Sequence, residues 1–291
     1  SERFSLGLSI SSGSLGLLLP PSLPLILYGI ISQQMKMSNI PSVSLDDLFL
    51  AGICPALLIL TLLFVFTLWI NRNKPVVLTK FSITEALSAL REMIWELPLP
   101  VFVLGGIYSG IFAISEAAAA TAMYVMVVEI FIYKEIKISQ LPGIMRESMI
   151  MVGSILLILG VAMASTNFMI DAEVPMKLFK FIQAHVRTKF MFLLLLNIFL
   201  LILGALLDIF SAIVIMTPLL LPVAVSYGIH PLHLGIIFLA NLEIGYCTPP
   251  MGINLLIASY RFKKPVTELY RACFPFLIVL FVAVLMITYW S

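Results

Sequence analysis

Cysteine, histidine and charge are all scarce in this chain, and each scarcity removes a class of function. Of 291 residues, 3 are Cys and 3 are His. Cys54, Cys247 and Cys273 lie inside apolar runs with no CxxC and no His/Cys cluster, so neither a disulfide framework nor a zinc site is signalled. They read as small core residues. His185, His230 and His233 are expected in loops, no HExxH occurs, and the closely spaced His230 and His233 have no third ligand in view, so they read as an interfacial cap. Charged residues make up 11% of the chain, against about 25% in a soluble domain. With a net charge of +2, the chain has no basic face of the kind that phosphate binding requires, which argues against nucleic acid. A starting methionine and a signal-peptide pattern are missing too, and Ser1 leads almost at once into an apolar run, as expected of an N-terminally truncated chain.

What is abundant is apolar sequence. Hydrophobic residues make up 61% of the chain and mean hydropathy is +1.11, with apolar runs of about 20 residues, the length a helix needs to cross a bilayer. The expected fold class is an all-α polytopic membrane protein. Apolar segments fall at 4–32, 48–70, 97–113, 116–134, 148–170, 190–226, 231–260 and 267–290.

Segments 4–32 and 231–260 are long for a single span, and each contains Gly-x-x-x-Pro-Pro: Gly16 with Pro20-Pro21, and Gly245 with Pro249-Pro250. A proline lacks the N–H that would bond the carbonyl four residues back, so these pairs free the oxygens of Gly16 and Leu17, and of Gly245 and Tyr246. Glycine at that position leaves the freed oxygen uncovered. Two broken helices are expected, each presenting carbonyls and helix ends of both partial charges, able to bind cation and anion. Asn241, Thr248 and Asn254 add hard oxygens near the second break, and Ser11, Ser12, Ser14 and Ser22 near the first.

Segment 190–226 is interrupted near Gly204–Ser211, where Asp208 is the one charge and no polar loop is available to sit in water, which favours a re-entrant hairpin over two crossings. An even number of passages there keeps most Lys and Arg, including Arg72, Arg91, Arg146, Arg261 and Arg271, on one face, with Lys36, Lys177, Lys180, Arg187 and Lys189 on the other. With the basic face inside, the two Gly-x-x-x-Pro-Pro helices run antiparallel and the C-terminus is periplasmic. Each is followed by an echo, Leu48–Pro55 and Leu269–Pro275. Inverted repeats of this kind mark transporters. Asp208, Glu129 and Glu243 stand out as carboxylates in apolar runs, where ionisable groups are costly and usually functional, although Glu129, close to Tyr133 and Lys134, can also snorkel to the cytoplasmic interface.

Between spans, Ser82-Ile83-Thr84-Glu85 opens a helix whose Leu87, Leu90, Ile94 and Leu97 share a face, as expected of a helix along the cytoplasmic interface. Val174, Leu178 and Ile182 repeat the spacing on the outer side.

Gly13-Ser14-Leu15-Gly16 through Pro20-Pro21-Ser22, Ser115-Glu116-Ala117-Ala118-Ala119, Leu207-Asp208 and the run Asn241–Leu255 resemble the large membrane subunit of TRAP transporters, in order and over essentially the whole chain. Ala113-Ile114-Ser115 and Ile209 depart from that family's usual residues. The resemblance implies an inverted-repeat, elevator-type, Na⁺-coupled importer of organic acids such as C4-dicarboxylates or sialic acid, with a small four-helix membrane subunit and a periplasmic substrate-binding protein as partners, in the bacterial inner membrane. It implies an ion site at Ser12, Gly13, Ser14 and Gly16 and a second at Gly204, Asp208, Gly245, Thr248, Pro249 and Asn254, with Na⁺ the only metal and no other cofactor. Ser22, Ser211 and Asn241 are the expected substrate contacts.

The expected organisation is a first broken helix at 1–32, a scaffold span and interfacial helix at 33–96, scaffold and connecting helices at 97–189, hairpin and second broken helix at 190–260, and a final span at 261–291. A binding-protein-independent Na⁺/divalent-anion symporter stays open as an alternative. An intramembrane aspartyl protease needs two facing aspartates, and only Asp208 is expected at depth.

Overall fold

The computed structural model describes residues 2–35, 43–72, 82–172, 174–186, 188–249 and 252–290; Lys36, Arg187 and Pro250 of the sequence reading lie outside them. In chain order the helices are α1 (Glu2–Gly13), α2 (Leu23–Gln34), α3 (Leu45–Asn71), α4 (Ile83–Glu92), α5 (Pro98–Tyr108), α6 (Ile114–Val127), α7 (Leu141–Asp171), α8 (Val174–His185), α9 (Lys189–Leu206), α10 (Ile209–Ser226), α11 (Pro231–Gly245), α12 (Ile253–Phe262) and α13 (Val266–Tyr289). Among the described residues there is no strand. Among the described residues, five helical stretches are long and apolar enough to cross a membrane: Leu45–Asn71, Ser115–Ile132, Lys189–Leu206, Ile209–Ser226 and Val266–Tyr289.

The chain divides into two units, Ser1–Arg72 with Leu157–Ser291, and Asn73–Leu156. In the second, Ser82 caps α4 by accepting the Glu85 N–H at 3.3 Å, and Ile83, Leu87 and Leu90 are exposed along it. Tyr124 and Tyr133 tie the following helix back to this region by donating to the carbonyls of Trp95 and Glu92. The apolar segment 97–113 makes a helix that stops at Tyr108, because the chain turns at Gly110 (φ +72°) and the Gly106 carbonyl takes the N–H groups of Ile111 and Phe112. At 11 residues it is about 16 Å long, short of a crossing. Glu116 opens α6 by accepting the Ala113 N–H at 3.0 Å.

The first unit is built around α11, in which every residue except Leu232 and His233 is buried. Small residues let backbones approach, the usual basis of helix packing where lipid removes the hydrophobic drive between helices. A Cβ on Gly7 would lie 2.2 Å from the Ala272 carbonyl oxygen, and one on Gly52 2.4 Å from that of Leu18. Gly235 accommodates the Tyr28 ring, whose hydroxyl donates to the Pro231 carbonyl at 2.7 Å. Buried amides add direction. Asn241 donates to the Asn197 Oδ1 at 2.7 Å and Thr288 to the same oxygen at 3.1 Å, joining α9, α11 and α13. His233 bonds the Ile287 carbonyl at 2.9 Å, so the start of α11 lies beside the end of α13. His185 ends α8 instead of lying in a loop, whereas His230 caps α11 and His233 lies in its first turn, at the start of the second broken helix.

Candidate functional site

Both Gly-x-x-x-Pro-Pro segments break their helices. The first runs from α1 through a 3-10 turn, Ser14–Leu17, and restarts at α2. The second leaves α11 at Gly245 and restarts at α12, with Gly252 in a left-handed conformation (φ +31°, ψ 61°) at its N-cap. That conformation suits glycine, which explains the Gly252 of the Asn241–Leu255 run. Proline accounts for both breaks, since neither Pro20-Pro21 nor Pro249 can donate to the preceding turn.

The fate of the freed carbonyls is more specific than the sequence implied. The Gly245 oxygen accepts the Thr248 N–H at 2.9 Å, and the Tyr246 oxygen accepts the Asn254 N–H at 3.2 Å. At the first break, the Ser22 hydroxyl caps α2 and donates to the Leu17 carbonyl. A backbone oxygen shielded from water is costly without a donor, so the chain folds back to supply one. A carbonyl has two lone pairs, and each of these oxygens keeps acceptor capacity for an ion.

The interruption in 190–226 consists of Leu207 and Asp208, between two helices of 18 residues each. Each helix is long enough by itself to cross a membrane, at about 27 Å. Asp208 is the N-cap of α10, its Oδ2 accepting the Ser211 N–H at 3.0 Å. The hairpin tip meets the second break directly. A Cβ on Gly245 would fall 2.4 Å from the Gly204 carbonyl carbon, so the two backbones are in contact there. The Tyr246 hydroxyl accepts the Ile209 N–H at 3.2 Å. Gly204, Asp208, Gly245 and Thr248 are thereby held in one region. The first break approaches through Cys247, whose sulfur lies 3.9 Å from the Ile10 carbonyl and 3.9 Å from the Asn254 amide.

The other expected residues fall as follows. Thr248 directs its hydroxyl to the Ile244 carbonyl at 2.9 Å, and Pro249 is exposed. Ser12 is half-buried and donates weakly to Ser9, at 3.4 Å; Gly13 and Gly16 are exposed, and Ser14 lies in the 3-10 turn. Ser211 is half-buried at the hairpin, whereas Asn241 is fully buried, with its amide committed to Asn197 and Ile237. Glu243 is 1% exposed on α11. No group of three or more His, Cys, Asp or Glu able to hold a metal occurs among the described residues, so cation binding would draw on carbonyls, hydroxyls and Asp208, a donor set suited to a hard ion. Asn197 was not singled out by sequence, and Tyr246 only for its carbonyl. Tyr246 lies within the glycine-proline motif, but its hydroxyl is used across a separation of 37 residues; Asn197 is a polar residue in an apolar run, a signal available in the sequence.

Long apolar helices together with helices broken at Gly-Pro turns define a polytopic helical membrane protein. Its relatives narrow the class. Residues 1–291 match the family described as the DctM component of the tripartite ATP-independent periplasmic transporter, and the chain belongs to that family of transporters, not to an enzyme family. Among curated relatives, the C4-dicarboxylate TRAP transporter large permease protein of Rhodobacter capsulatus is 36% identical over 99% of this chain and 67% of its own length. The C4-dicarboxylate permease of Pseudomonas aeruginosa is 34% identical over 99% and 66%, and the sialic acid TRAP transporter large permease protein of Vibrio cholerae 32% identical over 98% and 65%. The chain thus spans about two thirds of the length of these relatives.

Proposed function

We propose that this chain forms the ion- and substrate-translocating part of the membrane subunit of a Na⁺-coupled TRAP importer in the bacterial inner membrane, its C-terminus periplasmic. Its cargo is a small organic acid, the class to which the C4-dicarboxylates and sialic acid of its relatives' names belong. A periplasmic binding protein delivers the substrate and a small four-helix membrane subunit holds the permease; the word tripartite in the family description supports this division.

The observation that carries the reading is the junction of hairpin tip and second break, where Gly204 abuts Gly245 and Tyr246 holds the start of α10. Na⁺ binds between the spare lone pairs of the Gly245-region carbonyls, the Thr248 hydroxyl and Asp208, and its charge draws tip and break together. Substrate then binds beside the closed junction, near Ser211. The broken helix around Ser12, Gly13, Ser14 and Gly16 supplies the equivalent first ion site, with Ser22 on its far side. Elevator movement of hairpin and broken helices then carries both across.

Thermal stability of the full-length protein in Na⁺ against K⁺ and choline tests this, because a ligand of the folded state must raise stability. A Na⁺-specific rise that disappears in Asp208→Asn and Thr248→Ala supports the site. Equal stability in the three salts refutes it, and points to proton coupling through Glu243, the fully buried carboxyl of α11.

A further inference from the structure

A cavity lies at the start of α9, away from the hairpin tip, and we infer that it holds one anionic phospholipid, with the phosphate at Lys189 and His230 and an acyl chain along α3. The cavity has a volume of about 810 Å³, in the range of built ligand sites. Its walls are α3, the start of α11 and the end of α13, with Lys189 at the start of α9.

The chemistry of the wall is divided by position. Lys189, His230 and His233 all belong to helix starts at one end of the bundle, the end at which Tyr289 of α13 reaches the Phe190 carbonyl and His233 reaches that of Ile287. No acidic side chain lies among the described residues that line the cavity. Along α3 the lining runs from Ala51 to Thr61 through Leu57 and Leu58. Ten residues of helix are about 15 Å, half of a hydrocarbon core of roughly 30 Å. The groove therefore has the depth of one leaflet, a mouth made basic by Lys189, with the exposed His230 ring beside it, and an apolar floor. A phospholipid of that leaflet has the matching shape and charge, whereas a transmembrane partner helix would leave the basic mouth facing an apolar surface.

Pro55 adds a third feature. It lines the cavity inside α3 and removes the N–H that would otherwise bond the Ala51 carbonyl, which lines the cavity beside it. That oxygen is available to a headgroup or glycerol hydroxyl, so phosphatidylglycerol fits better than a lipid without donors.

Native mass spectrometry of the purified full-length protein with added phosphatidylglycerol or phosphatidylcholine tests the inference. The expected result is a preference of about fivefold or more for phosphatidylglycerol, abolished in Lys189→Gln/His230→Asn, two exposed positions at the second of which asparagine can still cap α11, and loss of retained lipid of either kind in Ala51→Trp, which fills the groove. Equal binding of the two lipids, or a preference unchanged by the double variant, overturns it. A photo-crosslinking residue at Leu58 gives an independent reading in membranes: a lipid adduct supports the inference, and an adduct to a protein segment refutes it.

Discussion

Gly245→Ala is the sharpest test of the junction between hairpin and broken helix. The added methyl would sit 2.4 Å from the Gly204 carbonyl carbon and 2.6 Å from both its Cα and its oxygen. All three atoms are backbone, so no side chain can swing aside. Overpacking of this kind costs about 1–3 kcal/mol, and close contact with three backbone atoms of Gly204 puts this case at the upper end. At about 2–4 °C per kcal/mol for a chain of this order of size, the melting temperature should fall by roughly 6–12 °C. Gly204→Ala should cost less, because its nearest neighbour is the Leu242 Cδ2 at 3.0 Å, the end of a side chain. Gly160→Ala is the control, with nothing within 4 Å of the new methyl and a helical site where alanine is favoured by about 0.5–1 kcal/mol. Differential scanning fluorimetry on the purified protein gives the ranking. If Gly245→Ala melts with Gly160→Ala, the backbones are not in contact and the packing argument fails. The same variant should lose the Na⁺-specific stabilisation, since the methyl holds tip and break apart.

Asp208 serves as both cap and charge, and two substitutions separate the roles: Asp208→Ala should lose about 0.5–2 kcal/mol of stability with the cap, while Asp208→Asn keeps the cap and loses only the Na⁺ response. Tyr246→Phe removes the acceptor of the Ile209 N–H, worth about 0.5–1.5 kcal/mol, and the loss should be read as a lowered melting temperature together with faster amide exchange at Ile209. Asn197→Leu strips the shared acceptor from Asn241 and Thr288 and should cost about 1–3 kcal/mol; the Asn197→Leu/Asn241→Leu pair should cost less than the sum of its parts. At the surface, Lys264 bonds Glu2 at 2.6 Å and holds that carboxyl below its ordinary 4.5, chiefly through the hydrogen bond and then through its charge. The pair's contribution is therefore present above pH 4.5 and lost as pH falls through the lowered value, and Lys264→Met should flatten that part of the stability–pH curve.

Much of this was legible in the sequence because its causes are local. A double proline breaks a helix wherever it occurs, so both Gly-x-x-x-Pro-Pro segments could be placed, and the Ser82 cap of α4 follows from spacing alone. Segment 97–113 could not be read to its end: apolarity gave no hint that Gly106 would gather the following N–H groups and end the helix at Tyr108. The start of the second broken helix was legible as well, because Pro231 stands at the first helical position of α11, where its missing N–H is not needed. At the site, composition gave the oxygen donors, but not their partners. That Thr248 and Asn254 would recapture the carbonyls of Gly245 and Tyr246 depends on how the chain turns after Pro249, and that Asn241 would face Asn197 depends on the rotation of α11 against α9.

Tyr246 shows why the junction can act as a unit. Its N–H bonds the Leu242 carbonyl in α11, its carbonyl takes the Asn254 N–H at the start of α12, and its hydroxyl takes the Ile209 N–H at the start of α10. One residue therefore fixes three helix ends, and they are the ends that surround Gly245 and Thr248. An ion drawing on the spare lone pairs at the break must pull on the same peptide units that set the position of Tyr246, and through its hydroxyl on the hairpin. A lysine or arginine brought to the junction would also neutralise Asp208, but would leave this backbone arrangement unused. A cation that coordinates carbonyls engages it directly, which is the physical reason for placing the coupling ion at the break and not at Asp208 alone.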